Sequence, residues 1–206
     1  MGSDIKIDLI SGFRGSGKTT LLGQMACKLW PDERVVLLQN EQGKTKLSRE
    51  NLPENCVSVE WQGGCLCCTA AALLEQALWG LAEQHRPDRI VIELAETSRL
   101  ADLKASLEMA GQGAFQIEHI IYVLRADTFA RKWDLSGDFA ARQLRESPAV
   151  WLTHGEETDA AVLAQIRAAV EESGPRCAVV DSARGVEELY RKSRIYKKIG
   201  LCSALK

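Results

Sequence analysis

The sequence predicts an α/β fold, in which helices cover both faces of a mostly parallel sheet. Short apolar runs alternate with amphipathic helical patterns along the chain, which is the order of parallel α/β domains. The runs are apolar at nearly every position, as expected for strands that are buried on both faces. The 206 residues, of which 46% are hydrophobic and 26% are charged, suffice for one globular domain.

The first half of the chain alternates strand and helix patterns around a glycine-rich turn. A strand is predicted over 5–10, and the turn follows it directly. Residues 19–30 then carry apolar side chains at helical spacing, so we expect a helix there. The other elements predicted in this half are three strands and one helix, at 34–39, 56–61, 90–92 and 69–85.

The second half continues the alternation. A helix that carries Leu100, Leu103 and Leu107 is predicted to end near Gly111. The remaining predicted elements are strands at 120–124, 149–153 and 177–180 and a helix that ends at Gly174.

The last part of the chain differs in composition. Residues 190–206 contain six basic side chains and no acidic one, so we expect a domain over 1–189 followed by a basic tail. The tail is either a solvated terminus or a contact surface for an anionic partner.

A phosphate-binding motif lies between the first predicted strand and the first predicted helix. Residues 12–19 read GFRGSGKT and match G-x-x-x-x-G-K-[ST] in full. In such a loop backbone N–H groups face phosphate oxygens, the lysine neutralises the β- and γ-phosphates, and the final hydroxyl ligates Mg²⁺. The motif predicts the P-loop NTPase fold and a nucleoside triphosphate ligand. The predicted contacts are Gly12, Gly15, Ser16, Gly17, Lys18, Thr19 and Thr20.

A P-loop protein also needs an acidic side chain that orders the Mg²⁺ shell. Glu93 follows the strand pattern at 90–92 and is the first candidate, whereas Glu96 is the second. Glu93 therefore joins Lys18 and Thr19 in the predicted catalytic set, and Thr19 is the predicted Mg²⁺ ligand.

Three of the seven cysteines lie within four residues of each other. Cys65, Cys67 and Cys68 belong to the segment GGCLCC at 63–68. Thiolates in one loop can share one cation, so we expect Zn²⁺, with Co²⁺ as the second choice. Glu41, water or another thiol would supply the fourth ligand. The alternative is a set of buried or redox-labile cysteines without a metal.

Three segments together resemble the CobW family of metal-chaperone GTPases, whose relatives include the nickel chaperones of hydrogenase and urease maturation. They are GFRGSGKTTLL from Gly12, NEQG at 40–43 and GGCLCC at 63–68, and the resemblance extends over about residues 5–189. It implies a GTPase in which the nucleotide state controls loading of a metal at the cysteines and its delivery to a client protein. In this pattern Glu41 is the acid of the N-E-x-G segment.

The later motifs depart from the family pattern. Arg99 replaces the γ-phosphate-sensing glycine, and residues 153–156, Thr-His-Gly-Glu, replace Asn-Lys-x-Asp. The resemblance implies that Glu156 accepts the guanine N–H groups and that Ser182 and Ala183 form the loop at the guanine carbonyl. These departures leave the choice between GTP and ATP open.

The sequence therefore indicates a slow GTPase that acts as a metal chaperone. The alternatives are a nucleotide- and metal-binding module without turnover and a P-loop ATPase or kinase with incidental cysteines. The expected partners are a nucleoside triphosphate, a transition metal and an unidentified client metalloprotein, with a homodimer as one option. The net charge of −2 argues against nucleic-acid binding. We expect a cytoplasmic protein, because there is no signal segment and no transmembrane-length apolar run.

Overall fold

Seven parallel strands form one sheet in the computed structural model, which describes residues 5–39, 47, 49–61, 71–109, 114–174 and 176–194. The strands are β1 (Ile5–Gly12), β2 (Val35–Gln39), β3 (Cys56–Glu60), β4 (Arg89–Glu93), β5 (Phe115–Arg125), β6 (Ala149–Thr153) and β7 (Ala178–Asp181). Their order is β3-β2-β4-β1-β5-β6-β7, and every pairing is parallel. The predicted α/β class is confirmed.

Six helices cover the sheet in the described part of the chain. They are α1 (Lys18–Leu29), α2 (Ala71–His85), α3 (Leu100–Met109), α4 (Phe129–Glu146), α5 (Ala160–Ser173) and α6 (Val186–Ser193). Core clusters place α1 and α6 on one face and the other four helices on the opposite face. Neighbouring strand residues alternate between these faces: Leu9 packs towards α2 and α3, whereas Ile10 packs towards α1. In the described ranges, no helix is both long and apolar enough to cross a membrane.

Three elements differ from the sequence-based expectation. Strand β5 begins at Phe115, five residues earlier than predicted, because polar and apolar residues alternate over its first half. Helix α4 was not predicted; its apolar stripe is narrow and its backbone is non-helical at Ser136. Helix α6 runs through residue 190, where the basic tail was expected to begin, and residues 195–206 lie outside the described ranges.

A buried charged cluster lies near the amino-terminal edge of the sheet. The Arg89 guanidinium donates to both carboxylate oxygens of Asp8 at 2.9 Å, to Glu33 at 2.8 Å and to Glu118 at 3.0 Å. Arg89 is 2% exposed and Asp8 is fully buried. Oxygen and nitrogen atoms of Asp8, Glu118 and His119 lie close enough together to hold a cation. The guanidinium already supplies the positive charge, so we assign this cluster a structural role.

Helix α6 docks on this charged cluster through aromatic and polar contacts. The Tyr190 ring stacks on His119 with 3.7 Å between ring centroids, and the Arg89 guanidinium lies 5.6 Å from the Tyr190 ring. The Ser193 hydroxyl donates to the Tyr190 carbonyl oxygen at 3.0 Å and lies 2.9 Å from Nδ1 of His119. The hydroxyl can therefore accept a hydrogen bond from a neutral His119 that carries its proton on Nδ1. These contacts join the end of the described chain to the sheet.

Candidate nucleotide-binding site

The phosphate loop connects β1 to α1 at the carboxyl end of the sheet. Gly12 and Gly15 adopt φ angles of +141° and +76°, which favour glycine. A Cβ on Gly12 would lie 2.3 Å from the carbonyl oxygen of Val123, so β1 can approach β5 only without a side chain here. The loop thus takes the path expected from the sequence and leads directly into the N-terminus of α1, where a helix favours anions.

The Lys18 ammonium is held inside this loop. Its Nζ donates to the carbonyl oxygens of Gly12 and Phe13, each at 3.0 Å, and the side chain is 2% exposed. A buried ammonium with fixed carbonyl partners is positioned in advance for an anion that enters the loop. The role of Lys18 on the β- and γ-phosphates stays a prediction.

The structure brings Thr19 and Glu93 together from elements that are distant in sequence. The Thr19 hydroxyl donates to Oε1 of Glu93 at 2.8 Å, and Glu93 is 1% exposed. Glu96, the second candidate acid, instead accepts a hydrogen bond from Lys132 of α4 at 3.0 Å. Hydroxyl and carboxylate oxygens are ligands that Mg²⁺ accepts, so the geometry favours Glu93 over Glu96 for this role.

An open cavity of about 780 Å³ lies over the phosphate loop. Its lining includes Arg14, Gly15, Gly17, Lys18, Thr19, Thr20, Gln24, Glu93, Arg125, Trp151, Thr153, His154 and Ser182. The volume of the cavity, the basic side chains in its lining and the paired oxygens of Thr19 and Glu93 suit a magnesium nucleotide.

Of the three residues expected to read the base, Ser182 lines this cavity, together with His154 from the turn after β6. Ala183 follows Ser182 in a short 3-10 turn. Glu156 is exposed in the turn after His154, and its contact with a base stays a prediction. Gly155 packs against Asp181, since a Cβ there would lie 2.4 Å from Oδ2 of Asp181. The end of β7 thereby supports the turn that follows β6.

Two residues of this region were not among the predicted site residues. The Thr153 hydroxyl donates to the carbonyl oxygen of Ser16 at 3.0 Å, so it ties β6 to the phosphate loop. Gln39, the last residue of β2, donates from Nε2 to Oε2 of Glu93 at 3.1 Å. The sequence signal for Gln39 is a polar side chain at the carboxyl end of an apolar strand, and Thr153 in addition occupies the first position of the segment that replaces Asn-Lys-x-Asp.

The proposed transition-metal ligands lie outside the described residues. These are Glu41, Cys65, Cys67 and Cys68. The described strand β3 ends at Glu60, five residues before the first of the three cysteines. Their metal-binding role therefore stays a sequence-based prediction.

The strand, phosphate loop, helix and paired threonine and glutamate define a P-loop nucleotide-binding protein. Residues 6–181 match the family model described as "CobW/HypB/UreG, nucleotide-binding domain". The chain belongs to the CobW family, as its three sequence segments predicted.

Two of the proteins that this chain resembles in sequence are named as zinc chaperones. The chain is 33% identical over 102 residues to the zinc chaperone YeiR of Escherichia coli, a match that covers 48% of this chain and 31% of the relative. It is 29% identical over 219 residues to the zinc chaperone CobW of Pseudomonas aeruginosa, which covers 88% of this chain and 57% of the relative. The matched regions thus span a third to just over half of these relatives.

Solved structures support the fold. The Zn(II)-bound YjiA GTPase of Escherichia coli superposes with a TM-score of 0.66 at 18% identity, covering 86% of this chain and 57% of that one. Nickel-bound HypB of Helicobacter pylori gives 0.63 at 14% identity, covering 91% and 84%. At these identities the likeness concerns the arrangement of strands and helices.

Proposed function

We propose that this chain is a nucleotide-dependent metal chaperone. It binds a magnesium nucleoside triphosphate, GTP by family resemblance, at the P-loop, and zinc at Cys65, Cys67 and Cys68, with cobalt as the second choice. The cargo metal passes to a client metalloprotein that is not identified. The observation that carries the proposal is the contact between Thr19 of the P-loop and Glu93 at the end of β4 in a CobW-family chain. The zinc-chaperone names of several relatives support the choice of cargo.

Different residues of the site would contact the phosphate oxygens and the Mg²⁺ of the nucleotide. Lys18 leaves the carbonyl oxygens of Gly12 and Phe13 for phosphate oxygens, and the loop N–H groups hold the remaining charge. Thr19 and Glu93 would hold Mg²⁺, which neutralises charge on the β- and γ-phosphates when it is bound. Because this machinery mainly positions and stabilises charge, we expect slow hydrolysis.

The geometry near Arg99 favours a second candidate function, a nucleotide-responsive module without turnover. The Arg99 side chain is 66% exposed, and it forms an ion pair with Asp102, with 2.7 Å between Nε and Oδ2. Arg99 is not among the residues that line the cavity in the described part of the chain. This candidate predicts nucleotide and metal binding with no phosphate release above background.

The test is a Zn²⁺ titration of reduced, metal-free protein without nucleotide, with Mg-GTP and with Mg-ATP. A competing chelator reports the zinc affinity, and tryptophan fluorescence reports binding. We expect one tight site whose affinity changes with nucleotide, and by linkage a nucleotide affinity that changes with zinc. An effect of GTP alone supports guanine specificity, whereas equal effects of the two nucleotides support the switch without it.

Matched variants separate the two sites. The triple variant C65S/C67S/C68S should lose the zinc site, whereas C27S, which changes an exposed cysteine of α1, should keep it. K18A should remove the nucleotide effect and leave zinc binding intact. Zinc binding that no nucleotide alters would refute the proposed chaperone mechanism.

A further inference from the structure

We propose that Gln39 is a positioning residue for the nucleotide site: it holds the Glu93 carboxylate at the P-loop and links that carboxylate to β2 and β3. The inference rests on the proposed function. It names the contacts that connect the proposed Mg²⁺ site to β2 and β3, the strands that precede the cysteine segment.

The two oxygens of Glu93 are held by different elements. Oε1 accepts from the Thr19 hydroxyl of α1 at 2.8 Å, and Oε2 accepts from Nε2 of Gln39 at 3.1 Å. Gln39 and Glu93 are register partners at the carboxyl ends of β2 and β4. Gln39 is 7% exposed and Glu93 is 1% exposed, so these hydrogen bonds form in a weakly screened environment.

Ser58 fixes the orientation of the Gln39 amide. The Ser58 hydroxyl of β3 donates to Oε1 of Gln39 at 3.0 Å, which leaves the amide NH₂ directed at Glu93. If the amide turned over, it would place its oxygen against a carboxylate and its NH₂ against the serine hydroxyl. The four side chains therefore form one directed chain of hydrogen bonds: Ser58 to Gln39, Gln39 to Glu93, and Thr19 to Glu93.

The backbone of Gln39 extends this connection to the end of β3. Its carbonyl oxygen accepts from the N–H of Trp61 at 2.8 Å. One residue thus contacts the Mg²⁺-side carboxylate through its side chain and the exit of β3 through its main chain. Residues 40–46 and 62–70 follow these two strands in the sequence and lie outside the described ranges.

If Mg²⁺ bound at Thr19 and Glu93, the Thr19 oxygen would face the cation. The contact of the Thr19 hydroxyl with Oε1 of Glu93 would then change. The Gln39 bond is made to the other oxygen, so it keeps the carboxylate in place in both states. Without the amide, the carboxylate loses a fixed donor and its alignment with Thr19. The loss should appear in the part of nucleotide affinity that depends on Mg²⁺.

The test measures GTP affinity with Mg²⁺ and with EDTA for wild type, Q39L and Q143L. Gln143 is a matched control: it is 3% exposed, and its Oε1 accepts from the N–H of Leu100 at 3.0 Å. In Q39L the stimulation of GTP binding by Mg²⁺ should fall about tenfold, the size expected for one hydrogen bond to a charged group. Affinity in EDTA should stay unchanged, and Q143L should keep the wild-type ratio.

A second variant and a second readout complete the test. S58A leaves Gln39 in place but frees its amide to turn, so it should lower the Mg²⁺ stimulation by a smaller factor, about threefold. It also covers the case in which Q39L does not fold. The nucleotide-dependent change in zinc affinity should weaken in both variants.

The outcomes separate this inference from the proposed function. If Q39L loses GTP affinity equally with Mg²⁺ and with EDTA, Gln39 has only a structural role. If folded Q39L keeps the wild-type ratio of these two affinities, the positioning role of Gln39 is wrong. Wild-type protein whose zinc affinity ignores nucleotide would refute the chaperone mechanism, while the Mg²⁺ ratio would still decide the role of Gln39.

Discussion

Gly12 and Gly15 of the phosphate loop require glycine for different physical reasons. Gly12 needs both its φ of +141° and the missing Cβ, because the carbonyl oxygen of Val123 occupies that space at 2.3 Å. Gly15 needs only its φ of +76°, since no heavy atom lies within 4 Å of a Cβ built there. One position is therefore constrained by packing between β1 and β5, and the other by backbone conformation alone.

Alanine at these two positions should destabilise the fold unequally. We expect G15A to lower the free energy of unfolding by about 1–2 kcal/mol, the cost of a left-handed conformation for a residue with a Cβ. G12A adds displacement of β5, so its loss should reach about 3 kcal/mol or more. Urea denaturation of the three proteins measures both values. Equal losses would contradict the assigned role of Val123.

Residues that act within one contiguous motif could be predicted from the sequence, and residues that act across strands could not. Lys18 and Thr19 follow from the spacing of GFRGSGKT. Gln39 and Thr153 contact residues 54 and 137 positions away, so their roles depend on which strands become neighbours. The choice of Glu93 over Glu96 depended on the same tertiary information.

Strand β4 connects two polar clusters at opposite ends of the sheet. It begins with Arg89 in the charged cluster under α6 and ends with Glu93 beside the P-loop. The three residues between them are fully buried. A five-residue element thus helps position the C-terminal helix at one end and the nucleotide site at the other.

The docking of α6 on His119 should make stability depend on pH. Burial, together with the nearby Arg89 and Arg194 guanidinium groups, lowers the pKa of His119 to about 3. In the unfolded chain the pKa returns to about 6.5, so between these values only the unfolded state binds the proton. The fold therefore loses stability as the pH falls from about 6.5 towards 3.

Comparing wild type with H119Q isolates this effect. Below about pH 6 the wild-type free energy of unfolding should fall more steeply than that of H119Q, by up to about 1.4 kcal/mol per pH unit. Burial also raises the pKa of Asp8 to about 7, so protonation of this carboxyl stabilises the fold as the pH falls. Asp8 is present in both proteins, so its contribution does not explain a difference between them. Urea unfolding at several pH values measures the difference. Parallel profiles would contradict the prediction.

Most elements with a continuous apolar run or a broad apolar stripe were predicted, whereas α4 and α6, which lack both, were not. Strands β2 and β4 are buried at every position, and both were predicted within one residue of their observed bounds. Helix α4 buries mainly Phe129, Ala140 and Leu144 along 18 residues, which gives little periodic signal. Helix α6 spans eight residues and includes basic side chains, so composition obscured it.

At the scale of the whole molecule, the nucleotide site is assembled from most of the sheet. Its residues come from the ends of β1, β4, β5, β6 and the turn after β7, and the chain crosses from β4 over β1 to β5. The alternation of elements predicted the fold class, but strand order depends on long-range pairing that no local pattern encodes. A ligand that contacts so many strands should stabilise the domain as a unit.

Mg-GTP should therefore raise the melting temperature of the whole domain. At a free concentration one hundred times its Kd, a ligand that binds only the folded state adds about 2.7 kcal/mol. For a domain of this size each kcal/mol corresponds to about 2–4 °C, so we expect a rise of about 5–11 °C. Thermal unfolding with and without Mg-GTP measures this rise in melting temperature.

Two lysine variants test where the nucleotide binds. K18A should lose the rise, because the buried ammonium is removed. K28A changes an exposed lysine in the last turn of α1 and should keep the rise. A rise of the same size in K18A would place the stabilising nucleotide outside the phosphate loop.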